Sequence, residues 1–320
     1  MVTRLSRQYE YCFARPFRYH RALIDERLQD LYDRTLDVLF TFPHKKSFHT
    51  DADVDADTMM FVLAGVLNDH PILFWVEPTV SLTRRGNDTE VSFEANSLIG
   101  DKNRLMFKLR DACDSIRDRL GTRFRDDYSL SLALHDLLVR EVVYEENGVM
   151  GHCALGPLLE GKGVCEGITE AYSLLMTSFG VRCTKIGGRF IGSETGHSWN
   201  ISYIDGQPYH TDVTSDLSGY HRYFNCDDKM FSKTHVFKRF VACDSTEANY
   251  YHRNGVMYGS FDDVVRHVPF KTRFTDGFEF MVLEPADPDR VLRFFTGMRK
   301  GKMCTCTSSD DRRAFMIRYE

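Results

Sequence analysis

Apolar residues recur at spacings of three and four after Cys165, which places them on one face of a helix. The residues on this face are Ile168, Ala171, Tyr172, Leu175 and Phe179. Gly180 follows directly, and glycine is common after the last turn of a helix because it accepts a left-handed backbone. The pattern therefore predicts a helix that begins at Cys165 and ends before Gly180.

Apolar and polar residues alternate further along, from His197 to Tyr203, which is the period of a β-strand. The dipeptide Asp205-Gly206 comes next and is a strong signal for a two-residue hairpin turn. Alternation resumes in the segment that follows, with Tyr209, Thr211 and Val213 on one face. These features predict a β-hairpin downstream of the helix.

The turn decides which side chains of this hairpin are neighbours. With a two-residue loop, His197 and Asp212 are diagonal neighbours on the same face. A four-residue loop also keeps them on one face, whereas a three-residue loop places them on opposite faces. Pro208 leaves the loop length open, because proline cannot donate to the ladder.

The rest of the chain predicts further helices, short strands and a loop. Apolar residues at helical spacing predict helices at 21–40, 59–67, 101–120 and after Asp126. We expect a strand at 72–76, a second hairpin at 80–93 and a loop at 147–157. Toward the C-terminus we expect strands at 278–283 and 314–319 and helices at 261–267 and 287–295.

Composition limits the class of protein. The 320 residues are 42% hydrophobic and 27% charged, which is ordinary for a globular protein with a buried core. The formal net charge of −5 argues against a nucleic-acid partner. No apolar run approaches the ~20 residues of a membrane span. The N-terminal segment also lacks the continuous apolar stretch of a secretion signal.

Nine cysteines, an odd number, are scattered through the chain and predict free thiols in a reducing compartment. No phosphate-binding loop or dinucleotide fingerprint is present in the sequence. We therefore expect a cytoplasmic protein that needs no cofactor and binds neither nucleic acid nor a membrane. The sequence leaves its oligomeric state open.

The predicted helix and hairpin together supply the parts of a nucleophilic site. Cys165 lies in the first helical turn, where unpaired N–H groups and the helix dipole favour a thiolate. On the hairpin, Asp212 is placed to orient the imidazole of His197, and the imidazole is placed to act as the base for the thiol. Each residue alone is more often structural, but their order and shared face favour a catalytic group.

Two metal sites are considered and rejected from the sequence. Four alternating aspartates resemble the ligands of a calcium loop, but Ala56 replaces the turn glycine and Val62 the last glutamate. His152 and Cys153 precede Cys165, but no C-x-x-C pair accompanies them and the spacing matches no common zinc site. A role for His152 in lining a cleft stays open.

Around these residues the sequence resembles the transglutaminase-like superfamily, and more closely its bacterial and archaeal protease-like members. The motifs that carry the resemblance are GKGVCEG, HSWN and YHTDVTSD. The resemblance implies that Cys165 is the nucleophile, His197 the base, and Asp212 the third member of the triad. Family members usually carry an aromatic residue in place of Ser215, so the substrate wall differs there.

The resemblance also implies an α+β fold. Its centre would be a papain-like cysteine-protease core, in which the helix that carries the cysteine packs on an antiparallel sheet. We expect this core at residues 121–240. A helical and β-hairpin region is expected at 1–120, where it buttresses the core or shapes its cleft, and an α+β region at 241–320.

The implied activity is acyl transfer on amide bonds through a thioester at Cys165. The protease-like resemblance and the missing calcium loop favour hydrolysis of a peptide or amide. Two alternatives stay open, namely a protein cross-linking transglutaminase and a catalytically silent module that binds peptides. Each of these functions implies a peptide or protein as substrate or partner.

Overall fold

The structure is a computed structural model that describes residues 17–121, 123–146, 148–268, 277–299 and 301–320. The N-terminal segment examined above for a secretion signal therefore lies mostly outside the described residues. Helices and strands are mixed along the chain, so the fold is α+β. No helix in the described part of the chain has the length and apolar character needed to cross a membrane.

The helices of the described residues are α1 (Tyr19–Leu23), α2 (Glu26–Thr41), α3 (Ala56–Asp69), α4 (Lys102–Leu120), α5 (Asp127–Glu141), α6 (Gly148–Gly151), α7 (Cys165–Ser178), α8 (Asp228–Phe231), α9 (Tyr250–Arg253), α10 (Phe261–His267) and α11 (Pro288–Met298). One 3-10 turn covers Ser97–Asp101, and one π-helical turn covers Gly156–Glu160.

The strands are β1 (Ser47–Thr50), β2 (Val76–Arg85), β3 (Asp88–Ala95), β4 (Val143–Tyr144), β5 (Lys162–Gly163), β6 (Cys183–Phe190), β7 (Gly196–Ile204), β8 (Gln207–Thr211), β9 (His235–Phe237), β10 (Met257–Tyr258), β11 (Gly277–Val282), β12 (Cys304–Ser308) and β13 (Ala314–Tyr319). Within the described chain they form sheets of order β1-β3-β2, β4-β5, β8-β7-β6-β9 and β10-β11-β13-β12.

Most predicted helices are confirmed, and their starts have a common cause. The side chains of Asp55 and Asp126 accept N–H groups from the first turns of α3 and α5, because a short carboxylate satisfies the unpaired donors there. The helix predicted at 21–40 is instead two helices, since Asp25 caps a new start at α2. The hairpin predicted at 80–93 is confirmed, with Val80 opposite Phe93.

Two local predictions are wrong. Most of the apolar run 72–76 forms buried turns, because the amides of Leu73 and Val76 donate to the carbonyls of His70 and Leu73, and only Val76 belongs to a strand, as the first residue of β2. Its side chains are apolar because the turns are buried in the core, not because they belong to a sheet. The predicted loop at 147–157 contains α6 and the start of the π-helical turn, two helical segments that precede α7 in the chain.

Helix α7 packs against β6 and β7, so the sheet of order β8-β7-β6-β9 supports it. One hydrophobic cluster joins buried residues of the N-terminal region with those of α7. A second cluster fills the space between the C-terminal sheet and α10 and α11. The domain boundaries at 120 and 240 stay predictions.

A chain of hydrogen bonds joins the C-terminal sheet to the loop after β8. Glu279 on β11 bonds His221 Nδ1 at 2.6 Å, and His221 Nε2 bonds Asp136 Oδ1 at 2.9 Å. The neighbouring His135 reaches Asp216 Oδ2 at 3.2 Å. Because every one of these groups has a charged or hydrogen-bonding partner, the network can stay buried and hold the loop in place.

Candidate active site

Cys165 is the first residue of α7, as predicted. Val164 before it has an extended backbone, with φ −99° and ψ 178°, so the helix begins at the cysteine itself. The amide of Cys165 therefore belongs to the first-turn donors that have no partner within the helix, and its thiol is half-buried. A thiol in this position experiences the positive end of the helix dipole.

The glycines of the GKGVCEG motif allow the helix start to pack closely against the preceding segment. A Cβ on Gly167 would lie 2.3 Å from the carbonyl oxygen of Gly151, and one on Gly163 would lie 2.8 Å from Pro157 Cγ. Real Cβ atoms do not approach other atoms this closely, so any larger residue would displace the start of α7. The motif thus fixes the position of the thiol through packing.

The hairpin turn occurs at Asp205-Gly206, which settles the open loop length. Both residues have positive φ, 50° and 83°, and Ile204 pairs with Gln207 across the two-residue loop. The predicted same-face placement of His197 and Asp212 follows from this register. Their side chains meet, with His197 Nε2 2.8 Å from Asp212 Oδ2.

The helix and the strand that carries His197 are tied together near the site. Thr169, one turn into α7, donates from its hydroxyl to the carbonyl of Ser198 at 3.0 Å. Asn200 on the same strand returns a hydrogen bond from its side-chain amide to the carbonyl of Thr169 at 3.1 Å. These bonds hold Cys165 against His197, whose Nδ1 is left for the thiol because Nε2 bonds Asp212.

The electrostatics of this group favour an ion pair. Burial opposes the charged form of Cys165, but the hydrogen bond and charge of His197 outweigh burial and lower the pKa of the thiol. Burial likewise opposes the imidazolium, but Asp212 and Cys165 raise the pKa of His197 to about 9. Asp212 is buried, which favours its neutral form, yet His197 and His235 hold its pKa well below the usual range. These shifts favour the charged forms of all three groups, a thiolate, an imidazolium and a carboxylate.

Two residues that the sequence analysis missed also contact the carboxylate. The buried His235 on β9 bonds Asp212 Oδ2 at 3.3 Å. Ser215 donates its hydroxyl to the same oxygen and its amide to Oδ1 at 3.1 Å. The serine that stands in place of the motif's usual aromatic residue therefore contacts Asp212. No local pattern indicates His235, because a strand distant in sequence brings it to the site.

Aromatic packing limits the movement of the imidazole. The ring of Phe190 stacks on His197 with centroids 4.6 Å apart. Trp199 of the HSWN motif is fully buried and donates its indole N–H to His210 Nδ1 at 3.0 Å. A Cβ on Gly188 would lie 2.4 Å from the Trp199 ring, so only glycine leaves room for this indole. The tryptophan thus anchors the strand behind the imidazole of His197.

Tyr144, at the end of β4, reaches the thiol from the other side. Burial and the proximity of Cys165 raise the pKa of its phenol, which also contacts the amide of Cys165. The side chain is exposed, so it stands at the entrance to the site. The parallel pairing of Tyr144 with Gly163 places it there.

Three groups of side chains among the described residues have the composition of metal ligands. They are His135–Asp136–His221, His197–Asp212–His235 and His210–Asp228–Cys243. Within each group a histidine nitrogen lies at hydrogen-bond distance from a carboxylate, at 2.8 to 3.3 Å. The prediction that the chain uses no metal stays a prediction.

The residues weighed above as zinc ligands do not converge. His152 bonds Glu146 at 3.1 Å and faces Glu166, while the Cys153 thiol donates to the carbonyl of Met150. Burial raises the pKa of Cys153 to about 12, so it is a neutral thiol. His152 instead lines a cavity beside the start of α7, which agrees with the cleft-lining alternative.

No protein-family model and no curated protein matches the sequence. Among solved structures, the chain is similar to a proposed cysteine protease from Cytophaga hutchinsonii, with 14% identity and a TM-score of 0.29 over 43% of this chain and 62% of that one. It is also similar to a TGase, with 10% identity and a TM-score of 0.29 over 54% of this chain and 52% of that one. The chain thus matches less than two thirds of either structure, and likenesses of this size assign neither fold family nor activity.

Proposed function

We propose that the protein is a cysteine-dependent amide hydrolase with a transglutaminase-like core, and that Cys165, His197 and Asp212 are its catalytic residues. The observation that carries the proposal is the arrangement of the three side chains at the start of α7. His197 lies close enough to lower the pKa of the Cys165 thiol, and its Nε2 lies 2.8 Å from Asp212 Oδ2. A nucleophile, a base and an orienting carboxylate in this order are the parts of covalent catalysis.

The reaction begins with attack of the Cys165 thiolate on the carbonyl carbon of an amide. The oxyanion that forms accepts a hydrogen bond from the amide of Cys165, which lies in the first helical turn. His197, protonated at neutral pH, gives its proton to the leaving amine as the carbon–nitrogen bond breaks. Water then attacks the thioester, with His197 as general base, and releases the acid. Asp212 orients the imidazole through both steps.

Hydrolysis and cross-linking share these steps as far as the thioester and differ only in the acceptor. Water as acceptor yields a shorter peptide, whereas a primary amine yields a new amide. Oxidation of the Cys165 thiol would stop both reactions, so a reducing compartment such as the cytoplasm suits the site. The eight cysteines of the described residues are all free, in agreement with that setting.

A peptide-library incubation tests the proposed function. The protein is incubated with a broad peptide library, with and without a primary amine, and the products are identified by mass spectrometry. We expect cleaved peptides in both samples. Amine adducts at glutamine in place of cleavage would assign cross-linking instead. Neither product, together with an unreactive Cys165, would replace the enzyme with the peptide-binding module.

A further inference from the structure

A cavity of about 410 Å³ lies beside the first turn of α7. Cavities that bind small molecules or side chains occupy about 300–1,000 Å³, so this one is large enough for a long side chain. Glu166, which directly follows Cys165, lines it, and so does Glu146, two residues beyond Tyr144. Cys165 itself does not line the cavity, which borders the site through Glu166, the next residue of the helix.

The N-terminal region forms the opposite wall of the cavity. Its contribution is mainly apolar and includes Leu73, Phe74 and Val76 from the buried turns and the start of β2. Val149 of α6 adds a further apolar surface. The N-terminal region thus shapes a cavity at the catalytic core, which is one of the two roles expected for it.

The charged groups of the cavity are mostly acidic. Glu77, Glu146, Glu166 and Glu170 line it, against Lys185 as the one lysine among its lining residues. Lys185 already forms two ion pairs, because its Nζ lies 2.6 Å from Glu170 and 3.1 Å from Glu166. Glu77 has no ionic partner within the described ranges, and Glu146 bonds only the imidazole of His152. Glu77 and Glu146, which Lys185 does not neutralise, therefore give the cavity a negative charge.

This combination selects one class of side chain. An apolar wall accommodates an aliphatic stem, and carboxylates that Lys185 does not neutralise compensate the desolvation of a positive head group. An acidic side chain would instead face like charges. We propose that this cavity is a subsite for a lysine or arginine side chain of the peptide substrate, an inference that rests on the proposed function for the identity of the substrate as a peptide.

Binding measured without catalysis tests the subsite. Fluorescein-labelled tripeptide amides, with lysine or norleucine at each position in turn, are titrated into the Cys165→Ala protein and followed by fluorescence anisotropy. Norleucine keeps an aliphatic stem and lacks the ammonium. At one position we expect the lysine peptide to bind at least about tenfold more tightly, as hydrogen bonds to charged groups allow.

Matched variants locate the effect. The double variant Glu77→Gln with Glu146→Gln is expected to bring the lysine-to-norleucine ratio close to one. Glu145→Gln is the control, because Glu145 is an exposed neighbour that pairs with Lys162 and does not line the cavity. Thermal melting checks that all variants fold.

Two results would overturn the subsite: equal binding of both peptides at every position, or a preference that survives the double variant. These outcomes are independent of the thiol, which is absent from the protein titrated. Failure of the proposed function would show separately, as an unreactive Cys165 in the wild-type protein.

Discussion

The Cys165→Ala protein is expected to lose amide hydrolysis by about 10⁶-fold, because no thioester forms without the sulfur. Residues that act as one catalytic unit cannot replace one another, so the residual rate should approach that of the bound peptide in water. The measurement is cleavage of the best library peptide, followed by mass spectrometry over time for the wild-type and variant proteins.

The control for this loss is another cysteine that can be changed without disturbing the core. Cys304 lies half-exposed in β12, and burial raises the pKa of its thiol. Cys304→Ala should retain the wild-type rate. Cleavage that persists in Cys165→Ala, or that disappears equally in Cys304→Ala, would contradict the assignment of the nucleophile.

The second large effect is expected at the imidazole and its carboxylate. His197→Ala should lose nearly as much activity as Cys165→Ala, since the proton has no other carrier. Asp212→Asn should lose less, about 10⁴-fold, because it orients the ring and transfers no proton. Replacing the carboxylate also removes the main support for the raised pKa of His197, so burial should then lower that pKa.

The pH dependence of kcat/KM separates these roles. The folded pKa of His197, about 9, is above its ordinary value, so the imidazolium persists until the pH rises through that value. The alkaline limb of the profile should therefore lie near pH 9 in the wild type and at lower pH in Asp212→Asn. Asp205→Asn is the control, because Asp205 lies in the turn of the same hairpin with φ 50°, a conformation that asparagine accepts. An unmoved alkaline limb in Asp212→Asn would contradict the orienting role.

The sequence predicts the candidate site well because its main elements are encoded locally. Apolar spacing places Cys165 at a helix start, and Asp205-Gly206 determines the register that brings His197 to Asp212. Both depend on neighbouring residues, whose conformational preferences act wherever the chain folds.

What the sequence does not show depends on distant parts of the chain. His235 reaches Asp212 only because β9 joins β6, and Lys185 meets Glu170 only when α7 packs on the sheet. Buried turns can also be mistaken for strands, since residues 72–75 have the composition of a strand but lie in turns closed by hydrogen bonds between residues three apart. Long-range packing therefore determines which charged groups and which cavity-lining residues surround Cys165, His197 and Asp212.

The cysteines offer the sharpest contrast within the molecule. Of the eight described cysteines, Cys165 has a lowered pKa, whereas burial raises the pKa of each of the others. A reagent that reacts with thiolates should therefore distinguish one cysteine from the rest.

The rate of alkylation by iodoacetamide as a function of pH, read for each cysteine by peptide mapping and mass spectrometry, tests this contrast most directly. Cys165 should react first at neutral pH, with a half-maximal rate below the ordinary pKa of a cysteine thiol. In His197→Ala the half-maximal pH should rise, because the main opposition to burial is lost and only the hydrogen bonds of Ser198 still favour the thiolate. A Cys165 that stays unmodified while another cysteine reacts, or whose profile is unchanged in His197→Ala, would contradict the proposed thiolate–imidazolium pair.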